Sequence, residues 1–149
     1  MIDLFAALAA AALALPGQTA PEPSEAAWIW TLYADEGPVV LANEVPDTTW
    51  LRTVLECEPG QSVAQLTLYG GEAAAGMARA SAGEATAVAE ASAGRRGGLK
   101  VALRTDHPVF AAFAADGRLA VAVADQRRTV EVPAEHLAKL RRFAELCSG

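Results

Sequence analysis

The sequence predicts an α+β domain built mainly on an antiparallel β-sheet, with one short helix, a C-terminal helix packed on the sheet and one disulfide. Three observations support this fold class. Apolar and polar residues alternate with period two in several short segments that end at Gly or Pro turns. The segment 133–147 has helical spacing instead. The chain contains only two cysteines, Cys57 and Cys147, which form the simplest disulfide pair in an oxidising compartment.

The N-terminal segment predicts an export signal. Positions 4–15 hold only Leu, Phe and Ala, a run that suits a signal peptide and is too short to span a bilayer as a helix. Asp3 precedes it without any Lys or Arg, and no A-x-A cleavage site follows the Pro16-Gly17 break. A core helix of a cytosolic protein is therefore the alternative, and we favour export. The predicted organisation is a signal peptide at 1–20, with a cleavage point as late as 26, a disordered spacer at 21–27 and one globular domain at 28–149.

Alternating segments predict the strands of the sheet. Turn clusters such as Asp35-Glu36-Gly37-Pro38 and Pro59-Gly60 separate them, and the segment 125–128 is predicted to be a further turn. The predicted strands are 28–33, 39–45, 50–58, 63–69, two segments within 76–93, and then 99–103, 119–123 and 129–132.

The alanine-rich segment 76–93 permits two interpretations. Its composition favours a helix, but alanines alternate with other residues on both sides of Gly83, which favours two strands turning at that glycine. We favour the hairpin, and an alanine-rich helix broken at Gly83 is the alternative. An alanine-only strand face would let a helix pack unusually close, and we expect the C-terminal helix to occupy that place.

Two segments predict helices. The first, 108–115, has Asp106 as its expected N-cap and an apolar side containing Val109, Phe110 and Phe113. The second, 133–147, begins with Pro133, which suits the first helical position because its missing N–H needs no partner there. Its apolar stripe comprises Leu137, Leu140, Ala144 and Cys147.

Both cysteines lie on the apolar side of their predicted elements. Cys57 is in phase with Leu51 and Leu55 on a strand, and Cys147 continues the stripe of the last helix. A bridge would close a loop of about 90 residues and contribute about 4 kcal/mol in the chain-entropy model. A redox or metal-binding pair is the alternative, but the sequence has no C-x-x-C spacing, and two thiols alone rarely bind zinc. We therefore predict a structural disulfide between Cys57 and Cys147.

The two histidines are the first candidates for acid–base chemistry. His107 lies between Asp106 and Pro108, which indicates a helix-entry turn rather than a catalytic pair. His136 lies near the apolar stripe of the last helix and could act as a ligand or a base; we favour a partly buried histidine with a backbone partner. No nucleophile elbow, phosphate loop or metal-ligand spacing accompanies them. We therefore predict no catalytic, cofactor-binding or metal-binding residues, and no enzymatic activity.

Two further groups could form binding surfaces. The basic segments Arg95–Arg96 and Arg127–Arg128 are predicted turns, and they would form an anion site if the sheet brings them to one end. We favour solvated loops. Trp28, Trp30 and Leu32 share one strand face. This face is a binding surface if it is exposed to solvent, and it belongs to the core if the hairpin packs on the sheet. We favour core.

Net charge excludes one class of partner and the element order suggests a location. The formal charge of −6 is unlike that of nucleic-acid-binding proteins. Residues 50–147 contain a short helix, Asp116-Gly117, a strand, a basic turn, a strand, Val-Pro and a helix ending in Cys. This layout resembles small uncharacterised periplasmic proteins of proteobacteria, and the resemblance implies a periplasmic or secreted bacterial protein.

We expect a non-catalytic binding or interaction module with an envelope protein as its possible partner, and neither nucleic-acid binding nor stable membrane insertion after leader removal. One alternative is an inhibitor of an envelope hydrolase, which would present a rigid exposed loop such as Tyr33–Val39. A third interpretation is a hydrolase with an unrecognised site, which would require His107 or His136 to converge with a serine or a carboxylate.

Overall fold

The computed structural model describes residues 21–72 and 74–149, so the predicted signal peptide at 1–20 lies outside the described residues. Within the described ranges the elements are nine strands, two α-helices and short 3-10 turns. The strands are β1 (Ile29–Tyr33), β2 (Val39–Glu44), β3 (Leu51–Cys57), β4 (Val63–Leu68), β5 (Gly76–Ala82), β6 (Ala85–Ala93), β7 (Leu99–Arg104), β8 (Arg118–Val123) and β9 (Gln126–Glu131). The helices are α1 (Pro108–Asp116) and α2 (Leu137–Cys147), and 3-10 turns occupy Glu25–Ala27, Arg95–Gly97 and Ala134–His136.

All these strands join one antiparallel sheet in the order β1-β2-β3-β4-β7-β6-β5-β8-β9. The sheet curls into a half-barrel and is larger and more curved than the sequence predicts. The β4–β7 pairing joins the first four strands to the last five, so the twist of adjacent strands accumulates over the whole sheet. The two edge strands, β1 and β9, remain unpaired to each other.

The core fills the concave, inner face of the half-barrel. Large apolar side chains such as Leu41, Leu55 and Leu66 are fully buried there. Both helices cover this face: α2 packs on β1 and β2, whereas α1 packs on β5, β6 and β8. The aromatic rings of Phe110 and Phe143 join the two helices, with centroids 6.4 Å apart.

The segment 76–93 forms the predicted hairpin, which turns at Gly83 with φ at +58°. The inner alanines Ala78, Ala80 and Ala82 of β5 are buried and pair with Ala89, Ala87 and Ala85 of β6. The helix on this alanine face is α1 and not, as expected, the C-terminal helix. The chain enters α1 directly from β7 and leaves it into β8, which pairs with β5. This connection places α1 over β5 and β6.

Three local predictions are wrong in their details. The N-cap of α1 is His107, whose Nδ1 accepts a hydrogen bond from the Val109 N–H at 3.1 Å, because Asp106 pairs with Arg104 instead. Pro133 is extended and precedes a 3-10 turn, so α2 begins only at Leu137.

The predicted turn at 125–128 is also wrong, because β9 already begins at Gln126. The tight connection from β8 is possible because Ala124 adopts a positive φ of 50°, a conformation that few non-glycine residues adopt. Arg127 and Arg128 therefore lie within a strand rather than in a loop.

The predicted disulfide between Cys57 and Cys147 is confirmed, with a Cα–Cα distance of 5.8 Å. It joins the end of β3 to the end of α2, and both residues are buried, at 4% and 0% exposure. Main-chain hydrogen bonds reinforce the connection: the Ser62 N–H donates to the Cys147 carbonyl at 2.7 Å, and the Gly60 N–H donates to the Leu146 carbonyl at 3.2 Å. No helix in the described part of the chain has both the length and the apolar character that crossing a membrane requires.

Candidate functional site

A large cleft opens at the end of the half-barrel opposite the disulfide. Its volume is about 970 Å³, and its walls come from the 3-10 turn at Glu25–Ala27, the first residues of β1 and β3, the end of β4, and β9. We call it the mouth cleft. It lies where the two edge strands face each other across the gap in the curled sheet, and its volume is near the upper end of the usual range for ligand pockets.

The floor of the mouth cleft is polar although most of the inner face is apolar. Asn43 and Thr53 are opposite each other on β2 and β3, and they remain only 9% and 7% exposed. The Asn43 Nδ2 donates to the Ile29 carbonyl at 3.2 Å, and the buried indole of Trp30 lies on the strand beside them. Buried polar side chains of this kind can orient a ligand by hydrogen bonds.

One wall is an aromatic and charged cluster. The Arg52 guanidinium lies 4.0 Å from the centre of the Trp28 ring, and its Nη1 and Nη2 donate to the Glu25 carboxylate at 2.9 and 2.5 Å. The Trp28 and Trp50 rings meet edge to face at 6.5 Å. The hydrogen bond from Arg52 lowers the pKa of Glu25 and raises that of the guanidinium. Because this ion pair is largely exposed it adds little stability, but it holds the Trp28 ring in place.

Arg128 spans one end of the mouth cleft, from β9 to the residues that follow β4. It lies on β9 opposite Val121, and thus on the inner face. Its Nη2 donates to the Tyr69 carbonyl at 2.6 Å and its Nη1 to the Gly70 carbonyl at 2.7 Å. Burial lowers the pKa of this guanidinium. The sheet edge β9 is thereby joined to the end of β4 across the opening.

The anion site that was the alternative to solvated loops is not supported at its second arginine pair, because Arg127 and Arg128 do not share a face. The connection at Arg95–Gly97 and the β8–β9 turn lie at the same end of the sheet, as the strand pairings require. Arg127 and Arg128, however, are consecutive strand residues and so point to opposite faces. Arg128 already donates to two carbonyls, whereas Arg127 is exposed on the outer face.

Two nitrogen atoms in the walls of the mouth cleft are buried without a hydrogen-bond partner among the described residues. They are the indole Nε1 of Trp28 and the Nδ1 of His136. His136 is half-buried immediately before α2, as predicted, but its Nδ1 lacks the expected backbone partner. An unsatisfied buried polar atom costs about 1–3 kcal/mol. A water molecule or ligand group would offset that cost where a side-chain movement opens either nitrogen to the cleft. His107, by contrast, is occupied as the cap of α1.

The charge around the mouth cleft is predominantly negative. Four carboxylates line it, those of Glu22, Glu25, Glu131 and Glu135. The cationic side chains among the described lining residues are Arg52 and Arg128, and both already bind groups of this chain. Two of the carboxylates are also paired, Glu25 with Arg52 and Glu131 with Arg118. Across residues 21–72 and 74–149, no group of three or more His, Cys, Asp or Glu side chains is placed to hold a metal ion.

Sequence reasoning identified part of this site and missed the rest. Trp30 is core as favoured, whereas Trp28 is half-buried in the wall of the mouth cleft. The sequence does not mark Asn43 and Thr53 as site residues. A single polar residue in an apolar strand usually faces solvent, so neither residue suggests a buried polar floor. Only the pairing of β2 with β3 shows that they meet at one place on the inner face.

No family model, curated protein or solved structure matched the chain in the comparisons.

Proposed function

We propose that this chain is an exported, non-catalytic binding module and that the mouth cleft is its ligand site. The observation that carries the proposal is the pair of unpartnered nitrogen atoms, Trp28 Nε1 and His136 Nδ1, in the walls of a cleft with a polar floor. Folding leaves these atoms buried at a cost that a bound ligand can offset. Export is supported by the buried disulfide, which is typical of oxidising compartments.

The non-catalytic part of the proposal is supported by how the two histidines are used. The ring of His107 caps α1, and in the described residues no hydrogen bond joins the His136 ring to a serine or a carboxylate. A histidine that acts as a general base in hydrolysis works with a nucleophile or an orienting carboxylate near its ring.

The test is a binding measurement that reports on Trp28 itself. In the isotope-labelled protein, the Trp28 indole N–H gives its own NMR resonance, and we expect it to shift when envelope material containing the ligand is added. Trp28→Phe removes the N–H and retains a ring, so it should weaken binding by roughly tenfold, the loss of about one hydrogen bond in a dry site. The matched control is Tyr33→Phe, which also removes one hydrogen-bond donor and retains a ring but lies outside the lining of the mouth cleft.

A Trp28 resonance that stays fixed while resonances elsewhere respond would refute the mouth cleft as the site. Equal affinities for the Trp28→Phe and Tyr33→Phe variants would refute the role of the indole nitrogen.

Export has a direct test in the intact mass of the protein recovered from bacterial envelopes. We expect the predicted leader to be absent and both thiols to resist alkylation until the protein is reduced. Recovery of the complete 149-residue chain with two free thiols would refute export.

One observation favours the inhibitor alternative. The connection from Tyr33 to Val39 is exposed over residues 34–38 and carries the acidic residues Asp35 and Glu36. Tyr33 donates a hydrogen bond to Glu44 at its base, which raises the pKa of the phenol. Inhibition of envelope hydrolases by the wild-type protein, lost when residues 34–38 are replaced by a glycine–serine loop of equal length, would support this second function.

A further inference from the structure

The edge strand β9 borders the mouth cleft, and some of its main-chain N–H and C=O groups have no partner strand among the described residues. The Val132 N–H donates to the Gly117 carbonyl at 2.7 Å. The main-chain hydrogen-bonding groups of Val132 therefore point toward β8. In an antiparallel pair, only every second residue bonds to the neighbouring strand. Thr129 and Glu131 are out of phase with Val132 and therefore direct their N–H and C=O groups away from β8. Both residues line the mouth cleft, and β9 has no strand on that side.

The opposite edge of the sheet is protected. The Lys139 Nζ on α2 donates to the Trp30 carbonyl of β1 at 2.6 Å, and α2 itself packs on the inner face of β1 beside that edge. Proteins commonly use lysines and covering helices to block strand addition at an edge. The edge of β9 at Thr129 and Glu131 has no such cover in the described residues.

The surroundings of this free edge define what can bind there. On the outer face Glu131 is exposed and pairs with Arg118 of β8 at 3.4 Å, Arg127 lies two residues before Thr129, and Glu135 follows after the strand. Val130 is buried on the inner face. Because side chains alternate along an added strand, its residues would face these charged side chains, of which Glu135 has no ion-pair partner among the described residues, and the apolar inner face in turn. The negative charge of the cleft and of the whole chain favours a basic ligand.

We propose that the mouth cleft binds an extended basic segment of a partner protein, which adds to the free edge of β9 as a tenth strand. The proposal rests on the proposed function, because it names the ligand class for the same cleft. The main chain of the segment bonds to Thr129 and Glu131, its basic side chains face outward toward the carboxylates, and its apolar side chains face inward. This is strand addition with alternate-residue specificity.

The probe is an acetylated and amidated octapeptide that alternates lysine and valine, titrated into the isotope-labelled protein. We expect saturable shifts of the Thr129 and Glu131 amides and of the Trp28 indole, and no such shifts with a matched octapeptide of glutamate and valine. Two further peptides carry N-methyl groups on the lysine amides or on the valine amides. For an antiparallel added strand, methylation of the lysine amides weakens binding by roughly tenfold or more, and methylation of the valine amides does not; parallel addition reverses the two.

A protein variant tests the same main-chain bonds from the other side. Thr129→Pro removes an N–H that has no partner on β8, and proline is tolerated on an edge strand in that position. We expect it to bind the lysine–valine peptide at least tenfold more weakly than the control Thr129→Ala, with the same melting temperature. The peptide comparison remains decisive if Thr129→Pro fails to fold.

Equal binding of the two methylated peptides would overturn strand addition. Shifts of the Trp28 indole by a neutral tetramer of N-acetylglucosamine, without any by the lysine–valine peptide, would assign the cleft to a carbohydrate and leave the proposed function standing. A Trp28 indole that responds neither to the peptide nor to envelope material would refute the proposed function as well.

Discussion

Replacing both cysteines by alanine is expected to lower the free energy of unfolding by about 4.5 kcal/mol. Cys57 and Cys147 are 90 residues apart. Opening a loop of that length returns about 15 cal/mol/K of entropy to the unfolded chain, which is about 4.6 kcal/mol at 25 °C. A domain of this size has a total stability of roughly 5–15 kcal/mol, so the Cys57→Ala/Cys147→Ala variant should lose between about a third and nearly all of it.

The assay is urea unfolding followed by tryptophan fluorescence, with the wild-type protein measured both oxidised and reduced. The reduced wild type keeps the buried sulfur atoms, so it separates the loss of the bridge from the small cavities that alanine leaves. We expect the reduced protein and the double variant to agree within about 1 kcal/mol. A loss below about 1 kcal/mol in both samples would refute the view that the bridge acts by constraining the unfolded chain.

Further substitutions test three other contacts. Gly117→Ala should cost about 3 kcal/mol in unfolding experiments, because φ is +77° there and an added Cβ would overlap a main-chain carbonyl oxygen. Arg128→Ala should cost roughly 1–3 kcal/mol by leaving two carbonyls unpaired, whereas Arg127→Ala should change stability by less than about 0.5 kcal/mol; equal effects would contradict the assigned bonds. The lowered pKa of Glu25 means that its contact with Arg52 is fully present above the ordinary glutamate range and is lost as pH falls through the lowered value. Tryptophan fluorescence should therefore change on acidification, and Glu25→Gln should abolish that change.

The strands were predictable where residues alternated between the two faces with a period of two clearly enough to outweigh the helix propensity of the composition. The hairpin around Gly83 is the clearest example, because its composition favours a helix while its period of two favours strands. The β8–β9 turn was missed for a local reason: Ala124 adopts a positive φ, and the Ala-Asp pair lacks the glycine or asparagine that usually marks such a turn.

The sequence did not predict the curvature of the sheet or the position of the mouth cleft. Both depend on pairings between distant segments, above all β4 with β7 and β5 with β8. The cleft then combines Trp28, Arg52 and His136 from separate parts of the chain, so no sequence spacing links them. The disulfide was predictable because a chain with two cysteines permits only one intramolecular pairing.

The alanine face beneath α1 has a consequence for the temperature dependence of folding. Alanine exposes much less apolar surface on unfolding than leucine or valine does, and apolar exposure is what makes the heat capacity of unfolding large and positive. With six alanines on the paired inner faces of β5 and β6, we expect a heat-capacity change per residue below the usual 12–15 cal/mol/K. Stability should then vary less steeply between cold and warm conditions than in a leucine-rich sheet protein of equal size.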